Sequence, residues 1–368
     1  MLNQLKSFYE LVQLWDLEQE EKDQKIEIFQ MWEKILKEDE FETILKICNN
    51  FSYYSYKLTA EAYKTIFDKN TCNIDKVEKF IESSLFFPLR KKERVESAVD
   101  MFSSFRLVNN IDANRTKMVC PTEYLNQYKK SIVDLKQFVN ENDEKNIEDK
   151  ETIQNLNNQL ILNKKNKIIS KKLKKRINFL QNNLAKRENS LNKNIENFSE
   201  NYLTVKNMII IDDFIGTGNS VISFLEKIGN IIMGSDIEIK IYLWVIEASE
   251  SGIKAIEKIV EELGIDFNIS FYKESIDVLE EDKVFSTENI SGVREIIKNI
   301  NKQNKLRPSK YCKNHAIASF VNAPNNNLTL LSEESSTWTA LFLRTKRNKV
   351  ERKISSTALK EAYEFLRQ

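Results

Sequence analysis

One stretch, from Met208 to Ser220, constrains the fold of this 368-residue chain more than any other. Four apolar residues, typical of a buried parallel strand, end in Asp212 and Asp213, and a short loop then leads into an amphipathic run that extends to Ile232. Two of the chain's seven glycines lie in this loop, where the backbone turns tightly and exposes N–H groups to an anion. The pattern predicts a strand, a phosphate-binding loop and a helix whose N-terminus faces the anion. The loop residues are Gly216, Thr217, Gly218, Asn219 and Ser220.

Three other motifs fit this stretch poorly. A Walker A loop needs a lysine before its final serine or threonine, and Asn219 occupies that position. A dinucleotide-binding loop needs a third glycine where Val221 stands, and its acidic residue follows the loop instead of preceding it. A receiver domain needs a phosphate-accepting aspartate at the end of the next strand, where the chain has Glu247-Ala248-Ser249. A purely structural reading, a helix cap and a turn, leaves two adjacent carboxylates repelling each other without a ligand or cation.

The order Asp-Asp-Phe-Ile-Gly-Thr-Gly-Asn-Ser resembles the phosphoribosyl-pyrophosphate (PRPP) motif of type I phosphoribosyltransferases, and it is similar to phosphoribosyltransferase-like proteins of bacterial conflict, or antiviral defence, systems. The motif covers 13 residues. A looser likeness, carried by residues 320–328 and 338–344, extends to about residue 344. The resemblance implies that Asp212 and Asp213 are the catalytic pair, which holds the ribose 2′- and 3′-hydroxyls, and that Gly216 to Ser220 wrap the 5′-phosphate. It also implies Mg²⁺ as a cofactor, which arrives near the aspartates with the pyrophosphate and has no direct protein ligand.

Strands and helices alternate after the motif. Strands are predicted at 240–247, 267–272, 316–321 and 328–331, and helices at 253–263 and 293–300. This alternation is typical of a parallel sheet with crossover helices, and open sheets of that kind bind ligands at the carboxyl ends of their strands. The sequence therefore predicts an α/β fold with a parallel-sheet, type I phosphoribosyltransferase-like core, whose main part covers residues 201–344.

The flanking regions complete the predicted domain organisation. Residues 1–82 have the periodicity of amphipathic helices and predict a helical N-terminal region. Residues 83–124 indicate a strand, a charged loop and a helix, which form the first part of the core. By the resemblance such a unit precedes the PRPP motif, so Arg90 and Arg94 are candidate pyrophosphate-binding residues, although both also suit the solvated start of a helix. Residues 345–368 are predicted to be a basic C-terminal segment and helix.

Residues 125–200 predict a helical hairpin that is inserted before the PRPP strand as a coiled-coil-like arm. Glycine is absent, and apolar residues recur at near-heptad steps from Leu173 to Phe198, with an earlier apolar run as the antiparallel partner. The outbound half is acidic, whereas Lys164–Arg176 holds eight basic residues and no acid. The arm therefore suits a protein partner or self-association, and its basic cluster suits an acidic protein, nucleic acid or simple solvation.

Composition bounds the remaining classes. Lysine and arginine total 56 against 55 acids, so net charge gives no bias toward nucleic acid or a membrane surface. No signal-peptide pattern and no 18-residue apolar run are present in the sequence. We therefore expect a cytoplasmic protein with no membrane partner. The cysteines have no metal-site spacing and indicate a reducing compartment. They are Cys48, Cys72, Cys120 and Cys312.

Functions from different classes remain open. A phosphoribosyltransferase would bind PRPP with Mg²⁺ and release pyrophosphate at the anomeric carbon, with an acceptor that the sequence does not identify. Purine salvage is not expected, because that branch, by the resemblance, carries an acid where Gly216 stands. A catalytically inactive sensor would keep the loop for PRPP or a nucleotide and dock a partner through its helices. A third reading is an effector that cleaves a nucleotide or N-glycosidic bond. His315, the only histidine, is interpreted as an ordinary polar residue before a strand.

Overall fold

The computed structural model describes residues 7–90 and 97–345, which form an α/β fold built on parallel strands. The predicted α/β class, with helical regions around a parallel sheet, is confirmed. The helices are α1 (Phe8–Leu14), α2 (Gln19–Ile35), α3 (Glu38–Cys48), α4 (Tyr56–Thr71), α5 (Val77–Glu82), α6 (Ser97–Val108), α7 (Pro121–Leu162), α8 (Lys167–Phe198), α9 (Asn219–Ile232), α10 (Glu250–Leu263), α11 (Thr287–Gln303) and α12 (Thr329–Ser332). The strands are β1 (Ser52–Tyr54), β2 (Ser84–Pro88), β3 (Asn207–Ile215), β4 (Lys240–Ser249), β5 (Phe267–Ser275) and β6 (Ile317–Ser319).

The main sheet has the strand order β2-β3-β4-β5, and all neighbouring strands are parallel. β3 lies inside it, where Ile211 is aligned with Pro88 of β2 and with Trp244 of β4. Helices α4 and α6 cover one face of the sheet, and α7 and α9 cover the other. Residues 208–211 are fully buried between these layers, which is why the strand sequence is apolar without alternation. The acidic pair and the loop therefore begin at the carboxyl edge of an interior strand.

Besides the apolar layers on the two faces of the main sheet, a third apolar cluster joins the two ends of the described chain. Helices α1, α2 and α3 share one apolar cluster with side chains from residues 278–341. Trp32 stacks on Trp338 with 4.8 Å between ring centroids, and its Nε1 donates to the Thr339 carbonyl at 3.1 Å. β1 pairs in parallel with β6 in a separate two-stranded sheet. The N-terminal helices are thus packed on the C-terminal part of the core.

The predicted hairpin is formed by α7 and α8, which have 42 and 32 residues and are joined at 163–166. Ile177 and Leu180, from the apolar seam, are buried between the helices. Arg187 interrupts the seam. It donates to Asn146 at 2.9 Å and forms an ion pair with Asp149, so a polar contact between the helices replaces the missing apolar one.

Two predictions about the end of the sheet are wrong. Residues 316–321 do not extend the main sheet, because β6 pairs with β1. Residues 328–331, predicted as a strand, form most of the short helix α12. Short apolar runs carry no periodicity that separates a strand from a buried helical turn. The other predicted elements within the described ranges are present with shifted boundaries, whereas Arg94 and residues 346–368 lie outside those ranges.

Two observations concern membrane and disulfide content. None of the helices in the described ranges is long and apolar enough to cross a membrane. The four cysteines are free thiols.

Candidate functional site

The loop between β3 and α9 presents unpaired donors at the carboxyl edge of the sheet. Gly218 occupies the N-cap position of α9 with φ +74° and ψ −9°, a left-handed conformation that favours glycine. No side chain caps this helix, so its first N–H groups have neither an intrahelical partner nor a side-chain acceptor. Within residues 7–90 and 97–345, the hydroxyls of Thr217 and Ser220 hydrogen-bond to no protein group. These donors and the helix dipole suit a phosphate group.

Two distant segments hold this loop in place. Ser249, the N-cap residue of α10, donates from Oγ to the Gly216 carbonyl and accepts from the Gly252 N–H at 3.0 Å. Gly252 packs so closely that a Cβ there would lie 2.3 Å from the Gly216 carbonyl oxygen. From another side, the Asn326 side chain fills the space that a Cβ on Gly216 would need, with only 2.4 Å to Cγ. The loop is therefore shaped by long-range contacts, which sequence reasoning missed.

Asp212 and Asp213 lie directly before the loop. Asp212 Oδ1 accepts from the Asp213 N–H at 3.0 Å, and the Asp212 carbonyl accepts from the Tyr63 hydroxyl of α4 at 2.9 Å. Burial, and then the charges of Asp213 and Asp212, raise the pKa of Tyr63 well above its ordinary value, so the hydroxyl stays protonated as a donor. No group in the described part of the chain donates to the half-buried Asp213 carboxylate. Both of its oxygens are therefore open to a ligand.

The aspartates fit a magnesium ion that arrives with its ligand. Among the described side chains, no group of three or more His, Cys, Asp or Glu is placed to hold a metal. Mg²⁺ usually retains water and is bound by one or two carboxylates together with substrate phosphates. Asp212 and Asp213 lie next to a loop with free donors, so their negative charge would favour a hydrated Mg²⁺ brought by the ligand without direct coordination to the protein.

Arg90 follows β2 at the same edge of the sheet, and one nitrogen of its guanidinium is already hydrogen-bonded within the protein. The Leu89 N–H donates to the Ile211 carbonyl at 2.8 Å, which places Arg90 beside the strand that carries the aspartates. Arg90 Nη1 donates to the Met118 carbonyl at 2.6 Å, and its buried Nε has no partner in the described structure. A pyrophosphate contact by Arg90 stays a prediction, and Arg94 lies outside the described residues.

A polar cluster that sequence reasoning missed lies beside the motif. Glu247 is 2% exposed, is aligned with Phe214 of β3, and accepts from the Tyr54 hydroxyl at 2.7 Å. Lys273 Nζ lies 3.8 Å from the same carboxylate oxygen. Burial, followed by the charge of Glu247 and its hydrogen bond, raises the pKa of Tyr54 far above its ordinary range. The sequence signal that could have revealed this cluster is Glu247, the one acid in the mostly apolar strand β4.

His315 precedes strand β6, as the sequence predicts, but its side chain is buried against the motif. Its ring lies 5.2 Å from the Phe214 ring in an edge-on arrangement. Nδ1 is 3.0 Å from the Ile276 carbonyl and 3.1 Å from Ser275 Oγ. Burial lowers the pKa of His315, and the Ile276 carbonyl opposes that shift. The histidine therefore helps to fix the strand end that carries the aspartates.

Comparison with known proteins gives one family match. Residues 126–344, more than half of the chain, match the PRTase-CE family, which is a phosphoribosyltransferase-like domain. The matched span contains the loop, the aspartates and nearly all of the hairpin α7–α8. No curated protein and no solved structure matches the chain. On the strength of this match, the chain belongs to the PRTase-CE family of phosphoribosyltransferase-like domains.

Proposed function

We propose that the protein binds PRPP, or a related 5′-phosphoribosyl ligand, together with Mg²⁺ at the carboxyl edge of β3. The observation that carries the proposal is the uncapped N-terminus of α9, where Thr217 and Ser220 hydroxyls have no protein partner in the described structure. A terminal phosphate supplies the acceptors that these donors lack. The family match supports a nucleotide or ribose-phosphate ligand.

The neighbouring carboxylates suit the sugar. Asp213, whose carboxylate has no donor among the described residues, lies on the strand directly before the loop, and Asp212 lies next to it. Vicinal hydroxyls donate well to carboxylates, so the pair is assigned to the ribose diol. Mg²⁺, when bound with the pyrophosphate, would neutralise phosphate charge and assist its departure.

The reaction proposed is displacement of pyrophosphate at the anomeric carbon, in transfer to an acceptor or in cleavage. Charge develops on the ribose ring as the leaving group departs, so the protein acts chiefly by fixing the ring and excluding water. The loop is suited to this because Ser249 and Asn326 hold it before ligand arrives. The similarity to conflict-system proteins extends the proposal to a role in bacterial defence.

A second candidate function is a sensor that binds the ligand without turnover. It is favoured by Arg90, because one of its guanidinium N–H groups donates to the Met118 carbonyl and so holds the side chain against its own chain. A transferase needs cations to stabilise the departing pyrophosphate, whereas a sensor needs only the loop and the diol-binding pair.

Calorimetry with PRPP, ribose 5-phosphate and pyrophosphate, each with and without Mg²⁺, tests the ligand. Asp213→Asn and Thr217→Val should each weaken PRPP binding by about 1–3 kcal/mol, through the diol and the phosphate respectively. Matched controls are Asp266→Asn, an exposed carboxylate beyond the opposite end of the sheet, and Thr65→Val on the surface of α4. Wild-type affinity in both site variants would refute the assignment. Pyrophosphate release with an acceptor panel then separates transferase from sensor.

A further inference from the structure

The far half of the arm is remote from the candidate site. The base of the arm packs on the core, where Lys129 Nζ donates to the Ile231 carbonyl at 3.1 Å and Lys136 pairs with Asp236 at 2.5 Å. Beyond Lys136, the hydrogen bonds and ion pairs of the described residues up to 195 stay within the hairpin. At a rise of about 1.5 Å per residue, this part of α7 extends roughly 40 Å. Its surface has no role in holding the phosphate loop.

The end of the hairpin combines exposed apolar side chains with unpaired positive charge. We call residues 161–179 the basic tip. Leu162 is 83% exposed, Ile168 is 72% exposed and Ile161 is 71% exposed, far more than a helix seam requires. The eight cations between 164 and 176 form no ion pair with any described carboxylate. A solvated helix face accounts for the lysines but leaves the large apolar side chains in water.

The same arm carries a surface of opposite charge. We call residues 141–151 of α7 the acidic segment, which contains six acids and two lysines. Its exposed glutamates recur at spacings of three and four residues, so they form a stripe along the helix. Ile147 is 59% exposed next to this stripe. The stripe consists of Glu141, Glu144, Glu148 and Glu151.

We propose that the arm pairs with the arm of a second copy of this chain, with the basic tip of each copy against the acidic segment of the other. The two segments are centred roughly 25 Å apart along the hairpin, at about 1.5 Å per residue. When two arms run antiparallel about a two-fold axis between these centres, both contacts form together. Opposite charges then meet at each end of the overlap, and Ile147 and the apolar side chains of the tip lie between helices.

Nucleic acid is the other occupant that the basic tip suits, and the rest of the arm disfavours it. Phosphates would neutralise the lysines, but they would leave the exposed isoleucine and leucine side chains unburied. The acidic segment on the same helix would also repel a strand that extends toward the core. A second copy uses all three features, namely the lysines, the glutamates and the apolar side chains.

The test uses the full chain and two charge-reversed variants. The tip variant carries Lys164→Glu, Lys167→Glu, Lys171→Glu and Lys175→Glu, and the segment variant carries Glu141→Lys, Glu144→Lys, Glu148→Lys and Glu151→Lys. The control is Lys298→Glu with Lys302→Glu, which reverses exposed charges on α11. Sedimentation velocity at up to about 50 µM protein reports the assembly state, because mass action makes association depend on concentration.

Wild type and control are expected to be dimers whose dissociation constant rises with salt. Each variant alone should raise that constant at least about 30-fold, since like charges then face each other. Mixing the two variants should restore the dimer, because their arms are complementary again. Monomeric wild type, variants that still dimerise, or a mixture that stays monomeric would each overturn the proposal. A monomeric wild type whose binding to a DNA duplex is lost in the tip variant would identify a nucleic-acid surface instead. Circular dichroism verifies folding, and ribose-phosphate binding, which does not need the tip, should be unchanged in every variant.

Discussion

Replacing Gly216 by alanine tests how the loop between β3 and α9 is held. A Cβ at this position would lie 2.4 Å from Asn326 Cγ, 2.5 Å from Nδ2 and 2.6 Å from Oδ1. Carbon atoms in contact are separated by about 3.5–4.0 Å, so the side chain must move by roughly 1 Å or more. Asn326 is 7% exposed, and its Nδ2 donates to the Tyr311 carbonyl at 2.9 Å. The movement therefore breaks a hydrogen bond in a closely packed place.

The expected change in the free energy of unfolding follows from the contacts that Asn326 loses. A hydrogen bond contributes about 0.5–1.5 kcal/mol net, and a buried polar group left unpaired costs about 1–3 kcal/mol. Gly216 does not have a positive φ, so alanine is conformationally allowed and recovers about 0.4–1 kcal/mol through the unfolded chain. We expect Gly216→Ala to lower the free energy of unfolding by about 1–3 kcal/mol. Asn326→Ala alone should cost about 1 kcal/mol, and the double variant should cost no more, because the amide that the added methyl would overlap is then gone.

Urea unfolding of these four proteins gives the coupling energy, expected at about 1–3 kcal/mol. Gly292→Ala on α11 is the matched control, since a Cβ added there would have no atom within 4 Å apart from its sequence neighbours and its own helix backbone. Helix propensity alone acts there, so stability should be unchanged or higher by up to about 1 kcal/mol. A Gly216→Ala protein as stable as wild type, or single costs that simply add, would refute the close contact. Ribose 5-phosphate affinity should fall in Gly216→Ala and recover in the double variant, because the loop is displaced only when the added methyl meets Asn326.

Two further predictions concern the buried groups beside the motif. Burial lowers the pKa of His315 from 6.5. As the pH falls through 6.5, the unfolded chain therefore takes up a proton before the native protein does, and the free energy of unfolding falls. Between about pH 8 and about pH 5, wild type should lose more stability than His315→Gln, and equal losses in urea unfolding would contradict this. Tyr54→Phe removes the hydroxyl that donates to buried Glu247 at 2.7 Å and should lower the free energy of unfolding by about 1.5–3 kcal/mol. The control Tyr56→Phe, at a residue that is 51% exposed, should have no measurable effect. Equal thermal stability of the two variants would contradict the role assigned to this hydrogen bond.

The elements that sequence reasoning located have local causes. Residues 208–211 are apolar because both faces of β3 are covered, and the glycines after them mark the turn into α9. The hairpin was predictable because glycine is absent from 125–200 and its apolar seam keeps a helical period. In each case the residues that determine the structure are neighbours along the chain.

The contacts that complete the site have no local signature. Ser249 and Gly252 reach the loop because β4 runs two residues beyond its predicted end at Glu247, and α10 then starts against Gly216. Asn326 belongs to a segment that was predicted to lead into a sheet strand, but that segment turns back toward the loop before α12. Strand β1, with three residues, is too short to show a period. These contacts are set by tertiary packing, so one sequence does not reveal them.

The way Asn326 is held links the loop to the N-terminal helices. Its neighbours Ala323 and Leu328 belong to the apolar cluster of α1, α2 and α3, and Trp338 stacks on Trp32 in the same cluster. A ligand that binds only when the loop is ordered also stabilises the contacts that order the loop. The size of this stabilisation depends on the concentration of the ligand and on its affinity. By reciprocity, if displacing the N-terminal helices changed ligand affinity by some factor, the ligand would change the equilibrium of that displacement by the same factor. Such a coupling would suit a transferase, which must assemble its site before chemistry, and equally a sensor, which must report occupancy. Pyrophosphate release, and not the presence of coupling, is therefore the measurement that separates the two functions.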